Sequence, residues 1–109
     1  MITITKYSNF EGNVGKTVKI IGILAKEIWQ HLTVFIDSHP YMNYFDLHDG
    51  YQIVIYTKDS ISCADKIEII GKLIKTESKR KNPRSKIHDE YFEYQLLVDS
   101  WKCFESYQE

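Results

Sequence analysis

The stretch Tyr44-Phe45-Asp46-Leu47-His48-Asp49-Gly50-Tyr51-Gln52-Ile53-Val54-Ile55-Tyr56 constrains this chain more than any other. Two β-rich arms flank an Asp-Gly pair, which suits a two-residue type I′ hairpin turn. In the first arm Phe45 and Leu47 share one face, while Tyr44, Asp46 and His48 share the other, so that arm is expected to be half-buried. An antiparallel pair of this kind needs further strands to bury its apolar face.

The rest of the chain supplies them. Lys16 to about Glu27 reads as a strand, with Val18, Ile20, Gly22 and Leu24 on one alternating face. Ile67 to Ile74 is another, and Tyr91 to Phe104 is a long last one with Phe92, Tyr94, Leu96 and Val98 on one face. Ile2 to Thr5 alternates and suits a short edge strand. Residues 27–43 are the hardest to read: HLTVFID suits a strand and Ser38-His39-Pro40-Tyr41 a turn. Thr76 to Glu90 is charged, carries Asn82-Pro83 and has little apolar to pack, so it reads as a loop. Gly22 and Gly71 each interrupt a β-branched run, where glycine costs stability unless the strand bends sharply or coils. Five strands with such corners, in 109 residues, suggest a closed barrel in a single domain, with little helix.

Gly12-Asn13-Val14-Gly15-Lys16-Thr17 ends in the three letters of a phosphate-binding loop, G-x-x-x-x-G-K-[ST]. Five places before Gly15 stands Phe10 where that loop requires glycine. The residues after Thr17 are β-branched, so no helix N-terminus would face a phosphate. Here the glycines are expected to turn the chain into its first long strand.

With these elements in hand, the chain resembles the oligonucleotide/oligosaccharide-binding (OB) fold. GKTVKIIGIL is similar to the opening strand of many OB domains, G-K-x-V-x-I-x-G-x-[LV]. YFDLHDGYQIVIY resembles their second and third strands. DKIEIIGKLI is similar to the fourth, with Ala64 where a glycine often stands, and EYQLLVDSWK closes the set. The match covers roughly Lys16 to Lys102, and the insertion from Trp29 to Asn43 departs from it most. The resemblance implies an all-β, five-stranded OB-fold Greek-key barrel over about residues 16–104, preceded by a short N-terminal segment, 1–15.

The resemblance also implies where a ligand would sit: on the strand 2–3 face, flanked by the 29–43 and 76–90 loops. The expected function is therefore single-stranded nucleic-acid binding without catalysis, DNA slightly ahead of RNA. Tyr44, Tyr51 and Tyr56 are the candidate stacking rings, with Trp29, Tyr41 and Trp101 as additions, and Tyr44 is expected to be the most exposed. Seven of the fourteen basic residues lie between Lys72 and Lys86 against one acid, Glu77. Within that run Lys79, Arg80, Lys81, Arg84 and Lys86 are the candidates for phosphate contacts. The plain alternative is a solvated loop. Asp46 and Asp49 oppose phosphate on the hairpin.

A different class also fits. With a net charge of −1 and an apparent surplus of exposed aromatics (Trp29, Tyr41, Trp101, Phe104), the barrel would serve as a protein-interaction subunit, or pair with a second copy. Enzymatic readings fare worse. His48-Asp49 enters a turn and His88-Asp89 a loop end, with no third ligand at a metal-site spacing. Arg80 and Arg84 are the only arginines, too few for a nuclease of the staphylococcal type. No cofactor and no metal are expected.

No run is long and apolar enough to span a bilayer, and the N-terminus lacks the basic start and apolar block of a signal peptide. A cytoplasmic protein is expected. There Cys63 and Cys103, the only cysteines, would stand as separate, partly buried thiols, although pairing is open to them.

Overall fold

The computed structural model describes residues 2–79 and 90–104. It is all-β, with six strands in one sheet and one 3-10 turn, Tyr7–Asn9. The strands are β1 (Ile2–Ile4), β2 (Thr17–Leu24), β3 (Tyr41–Leu47), β4 (Gln52–Thr57), β5 (Ile67–Lys79) and β6 (Glu90–Cys103). The short edge strand expected over Ile2 to Thr5 is present as β1, which pairs parallel to β2 with Ile2 beside Val18.

The ladder runs β2–β3–β4–β6–β5, and β5 also pairs with β2. All of these pairs are antiparallel except β4 with β6. Alternation explains which side chains go inside. Val18 and Ile20 of β2, Phe45 and Leu47 of β3, Ile53 and Ile55 of β4, and Leu96 and Val98 of β6 all join one core. Ile4 and Phe10 of the N-terminal segment join it too, so that segment is packed into the body of the protein.

The two mid-strand glycines sit where the ladder changes partner or register. At Gly22, β2 passes from pairing with β5 to pairing with β3. A Cβ there would lie 2.2 Å from the Asp46 carbonyl oxygen and 2.7 Å from the Phe45 ring. At Gly71 the β5–β6 register slips: Ile70 faces Ser100 and Gly71 faces Val98, which leaves Asp99 as the extra residue of a β-bulge. A Cβ on Gly71 would lie 1.9 Å from the Leu97 carbonyl oxygen. Close approach of backbones requires glycine at both places.

The β3–β4 connection differs from the expected two-residue turn. Asp46 faces Gln52, the Leu47 N–H donates to the Tyr51 carbonyl, and the Gly50 N–H donates to the Leu47 carbonyl. The loop is therefore His48-Asp49-Gly50. Only Gly50 of these has a positive φ, at 90°, whereas a type I′ turn needs positive φ at both central residues.

The GNVGKT stretch behaves as a turn. Gly12 and Gly15 have φ of 84° and 87°, the Gly15 N–H donates to the Leu73 carbonyl, and β2 begins at Thr17.

The expected loop from Thr76 to Glu90 is shorter than its charge suggested. Thr76 to Lys79 belong to β5, opposite Glu93 to Glu90 of β6. Charged side chains weaken the sequence signal for a strand, but ladder bonds are made by backbone, and the long β6 provides them.

Cys63 and Cys103 form a disulfide, with Cα atoms 5.8 Å apart, which corrects the expectation of separate thiols. The reason lies in the register. Ile67 faces Cys103 across the β5–β6 ladder, and the chain from Cys63 leads directly into β5. No helix among the described residues is long and apolar enough to cross a membrane.

Candidate functional site on the outer face of the sheet

The expected binding face is covered by the protein itself. Strand β4 is buried along its whole length, although only its Ile53 and Ile55 side chains join the main core. Gln52, Val54 and Tyr56 point to the opposite face, and residues 27–34 of the β2–β3 connection lie across it, held by side chains of β4 and β6.

The attachment runs in order along the segment. Gln52 Nε2 donates to the Glu27 carbonyl at 2.8 Å, and Gln52 Oε1 accepts from the Trp29 N–H at 2.9 Å. The Leu32 N–H donates to Glu93 Oε2 at 2.5 Å, and the Leu32 carbonyl accepts from Gln95 Nε2 at 2.6 Å. The Val34 N–H then donates to the Tyr56 hydroxyl at 3.1 Å. Side chains of the sheet thus take up several backbone groups of a segment that has no regular secondary structure of its own.

One side chain of the segment enters the same network. His31 Nδ1 lies 2.5 Å from Glu93 Oε1, and His31 Nε2 lies 3.0 Å from Gln52 Oε1. The orientation of the Gln52 amide follows from its other partners. Its nitrogen faces two acceptors, the Glu27 carbonyl and Asp46 Oδ1, while its oxygen faces the Trp29 N–H. Both ring nitrogens of His31 therefore face acceptors. The two side chains are each 7% exposed, and buried polar groups need such partners. Beneath them the Tyr56 hydroxyl donates to Gln95 Oε1 at 2.7 Å, which also accepts from Thr76 Oγ1. Burial is the main reason that the Tyr56 hydroxyl is pushed above its ordinary pKa of 10.0.

The outward side of the segment carries large apolar side chains. Ile28, Trp29, Val34 and Phe35 are all exposed, Trp29 by 53% and Phe35 by 80%. Met42 is exposed as well, and it faces Tyr56, the residue that holds Val34. The segment thus presents large apolar side chains to solvent beside the exposed Glu27, Gln30 and Thr33, while its contacts to the sheet are partly buried.

The residues expected to bind nucleic acid are scattered by this arrangement. Tyr56 is 1% exposed, so its ring is closed to stacking, contrary to expectation. Tyr44 is half-buried, its ring 5.7 Å from that of His31. Tyr51 is the most open of the three at 54%, in place of Tyr44, and it stacks on Tyr7 with ring centroids 4.9 Å apart. Asp49 is engaged locally, accepting from the Tyr7 and Tyr51 backbone N–H groups. Lys79 ends β5 opposite Glu90. Arg80, Lys81, Arg84 and Lys86 lie outside the described residues, as does the His88-Asp89 pair. Among the described residues no three His, Cys, Asp or Glu side chains come together in a way that would hold a metal ion.

His31, Gln52, Glu93 and Gln95 were not singled out from the sequence. One signal did point to them. Gln52-Ile53-Val54-Ile55-Tyr56 is nearly continuous in large side chains, the pattern of a strand buried on both faces. Something must then cover its second face. Comparison with protein-family models, with curated proteins and with solved structures finds no match.

Proposed function

We propose that this chain is a non-enzymatic binding module of OB architecture whose main partner is a protein, docked on the outward side of residues 28–35. The cyclic order of pairings from β2 through β3, β4, β6 and β5 back to β2 supports a closed Greek-key barrel. The observation that carries the binding reading is the exposure of Ile28, Trp29, Val34 and Phe35 on a segment whose backbone is fixed to the sheet. Pre-fixed aromatic and aliphatic anchors lose little entropy on binding, and they are the residue types that dominate protein interfaces. The charges between residues 26 and 37 are Lys26, Glu27 and Asp37, with His31 buried against Glu93, a poor match for a phosphate backbone.

Single-stranded nucleic acid is the second reading, and Tyr51 favours it. Its exposed ring is already stacked on Tyr7, near Tyr94 and Phe92, and the Lys75 ammonium lies 4.3 Å from the Phe92 ring centroid. A strand bound there would use the end of the barrel together with the basic run from Lys79 to Lys86.

For either reading the disulfide favours an oxidising location over the cytoplasmic one. Cysteine pairs persist in oxidising surroundings, so a cytoplasmic protein would hold Cys63 and Cys103 reduced.

A photoreactive residue at position 33, introduced in the source cell, separates the two readings. We expect it to cross-link a protein, and we expect Trp29→Ser to abolish the product. The reading is overturned by two results together. These are the absence of any cross-linked protein, and low-salt anisotropy binding of labelled single strands whose salt slope falls when Lys79, Arg80, Lys81 and Arg84 become alanine.

A further inference from the structure

The face beneath residues 27–34 has the make-up of a peptide-binding site that the chain fills with its own segment. Gln52, Tyr56, Glu93 and Gln95 contact the Glu27 carbonyl, the Trp29 N–H, both backbone groups of Leu32 and the Val34 N–H. These contacts read backbone groups of a segment without regular secondary structure and leave most side chains free to vary. The one side chain that is read is His31, gripped at both nitrogens by Glu93 and Gln52. Asp46 steadies Gln52 from β3, and Thr76 steadies Gln95 from β5. The site is therefore built from four strands, and Gln52, Tyr56 and Gln95 keep partners within the sheet apart from the segment, whereas Glu93 meets His31 and Leu32 of the segment itself.

We propose that this face accepts, in trans, a peptide of another protein with a histidine set to meet Glu93 and Gln52, and that residues 27–34 hold the place until it arrives. The inference stands apart from docking on the outward side of the segment. It concerns the opposite surface, and it survives if Trp29 and Phe35 bind nothing. The cis segment competes at an effective concentration of the order of millimolar, so a free peptide meets a closed site in the unaltered protein. Loosening the segment opens it.

The test uses the full chain and a fluorescent peptide, Glu-Ile-Trp-Gln-His-Leu-Thr-Val. The His31→Ala variant, shown to be folded by circular dichroism, is expected to bind this peptide about 100-fold more tightly than the unaltered protein does. A peptide with alanine in place of histidine is expected to bind at least about tenfold more weakly. A folded variant that shows no binding up to the solubility limit overturns the proposal, and so does equal binding of the alanine peptide. Hydrogen exchange on the unaltered protein keeps the question decidable if the variant does not fold. The Leu32 and Val34 amides must open at lower free energy than those of Ile20 and Ile55. Exchange of all four only through global unfolding also overturns the proposal. A domain-swapped dimer of the variant that excludes the peptide would assign the site to a second copy and overturn the heterologous partner.

Discussion

His31 and Glu93, 62 residues apart in the chain, meet on the outer face of the sheet with Nδ1 and Oε1 2.5 Å apart. Both side chains are almost wholly buried, so truncating either leaves the other without its partner in a low-dielectric setting. Glu93→Ala is expected to cost about 3–5 kcal/mol, as is His31→Ala, measured by urea denaturation. The double variant is expected to cost clearly less than the sum of the two. Simple additivity would show that the pair does not form.

Tyr56 is held by the Val34 N–H and the Gln95 amide oxygen, so Tyr56→Phe removes a donor and an acceptor from a buried network. The expected loss is about 1–3 kcal/mol. Its alkaline behaviour follows from the raised pKa. The folded state binds the phenolic proton more tightly than the unfolded chain, so the associated stability is fully present below the ordinary value of 10.0 and is lost as pH rises through the higher folded value. Absorbance titration should show a tyrosine ionising above the ordinary value, together with unfolding. Loss of that late step in Tyr56→Phe checks the assignment.

The Cys63–Cys103 link closes a loop with a sequence separation of 40. Constraint of the unfolded chain predicts that reduction, or Cys63→Ser with Cys103→Ser, lowers stability by roughly 2–4 kcal/mol. Thiol counting on the unfolded, unreduced protein should find no free sulfhydryl. Two free thiols would restore the expectation drawn from the sequence.

Three glycines provide a graded test of the fold. Gly22→Ala and Gly71→Ala force a Cβ into backbone carbonyl oxygens, and each is expected to cost about 3 kcal/mol or more. Gly50→Ala meets no atom within 4 Å and pays only for its left-handed backbone, about 1–2 kcal/mol. Thermal melts rank the three. Equal losses would contradict the close approach at Gly22 and Gly71.

Most of the strands were legible in the sequence because they alternate, whereas HLTVFID, which suits a strand, forms none. Val18 and Ile20, Phe45 and Leu47, and Leu96 and Val98 reach the core as their spacing predicts. What was not legible depends on long-range pairing. Nothing local tells His31 that Glu93 will stand beside it, or Cys63 that the β5–β6 register will deliver Cys103. The hairpin turn was misjudged by one residue because Asp49-Gly50 suits both a two-residue loop and the three-residue loop observed. Tyr56 looked available for stacking because alternation reports which face a residue takes, and says nothing about what covers that face.

The seating of residues 27–34 over Tyr56 decides most of this account, and one nuclear Overhauser measurement tests it directly. With the Val34 nitrogen 3.1 Å from the Tyr56 hydroxyl oxygen, the Val34 amide proton should show a strong cross-peak to the Tyr56 ring protons nearest that hydroxyl. It should also exchange slowly with solvent. A missing cross-peak, with Val34 exchanging at the rate of an unstructured chain, would mean that the outer face is open and that the sheet does not hold this segment.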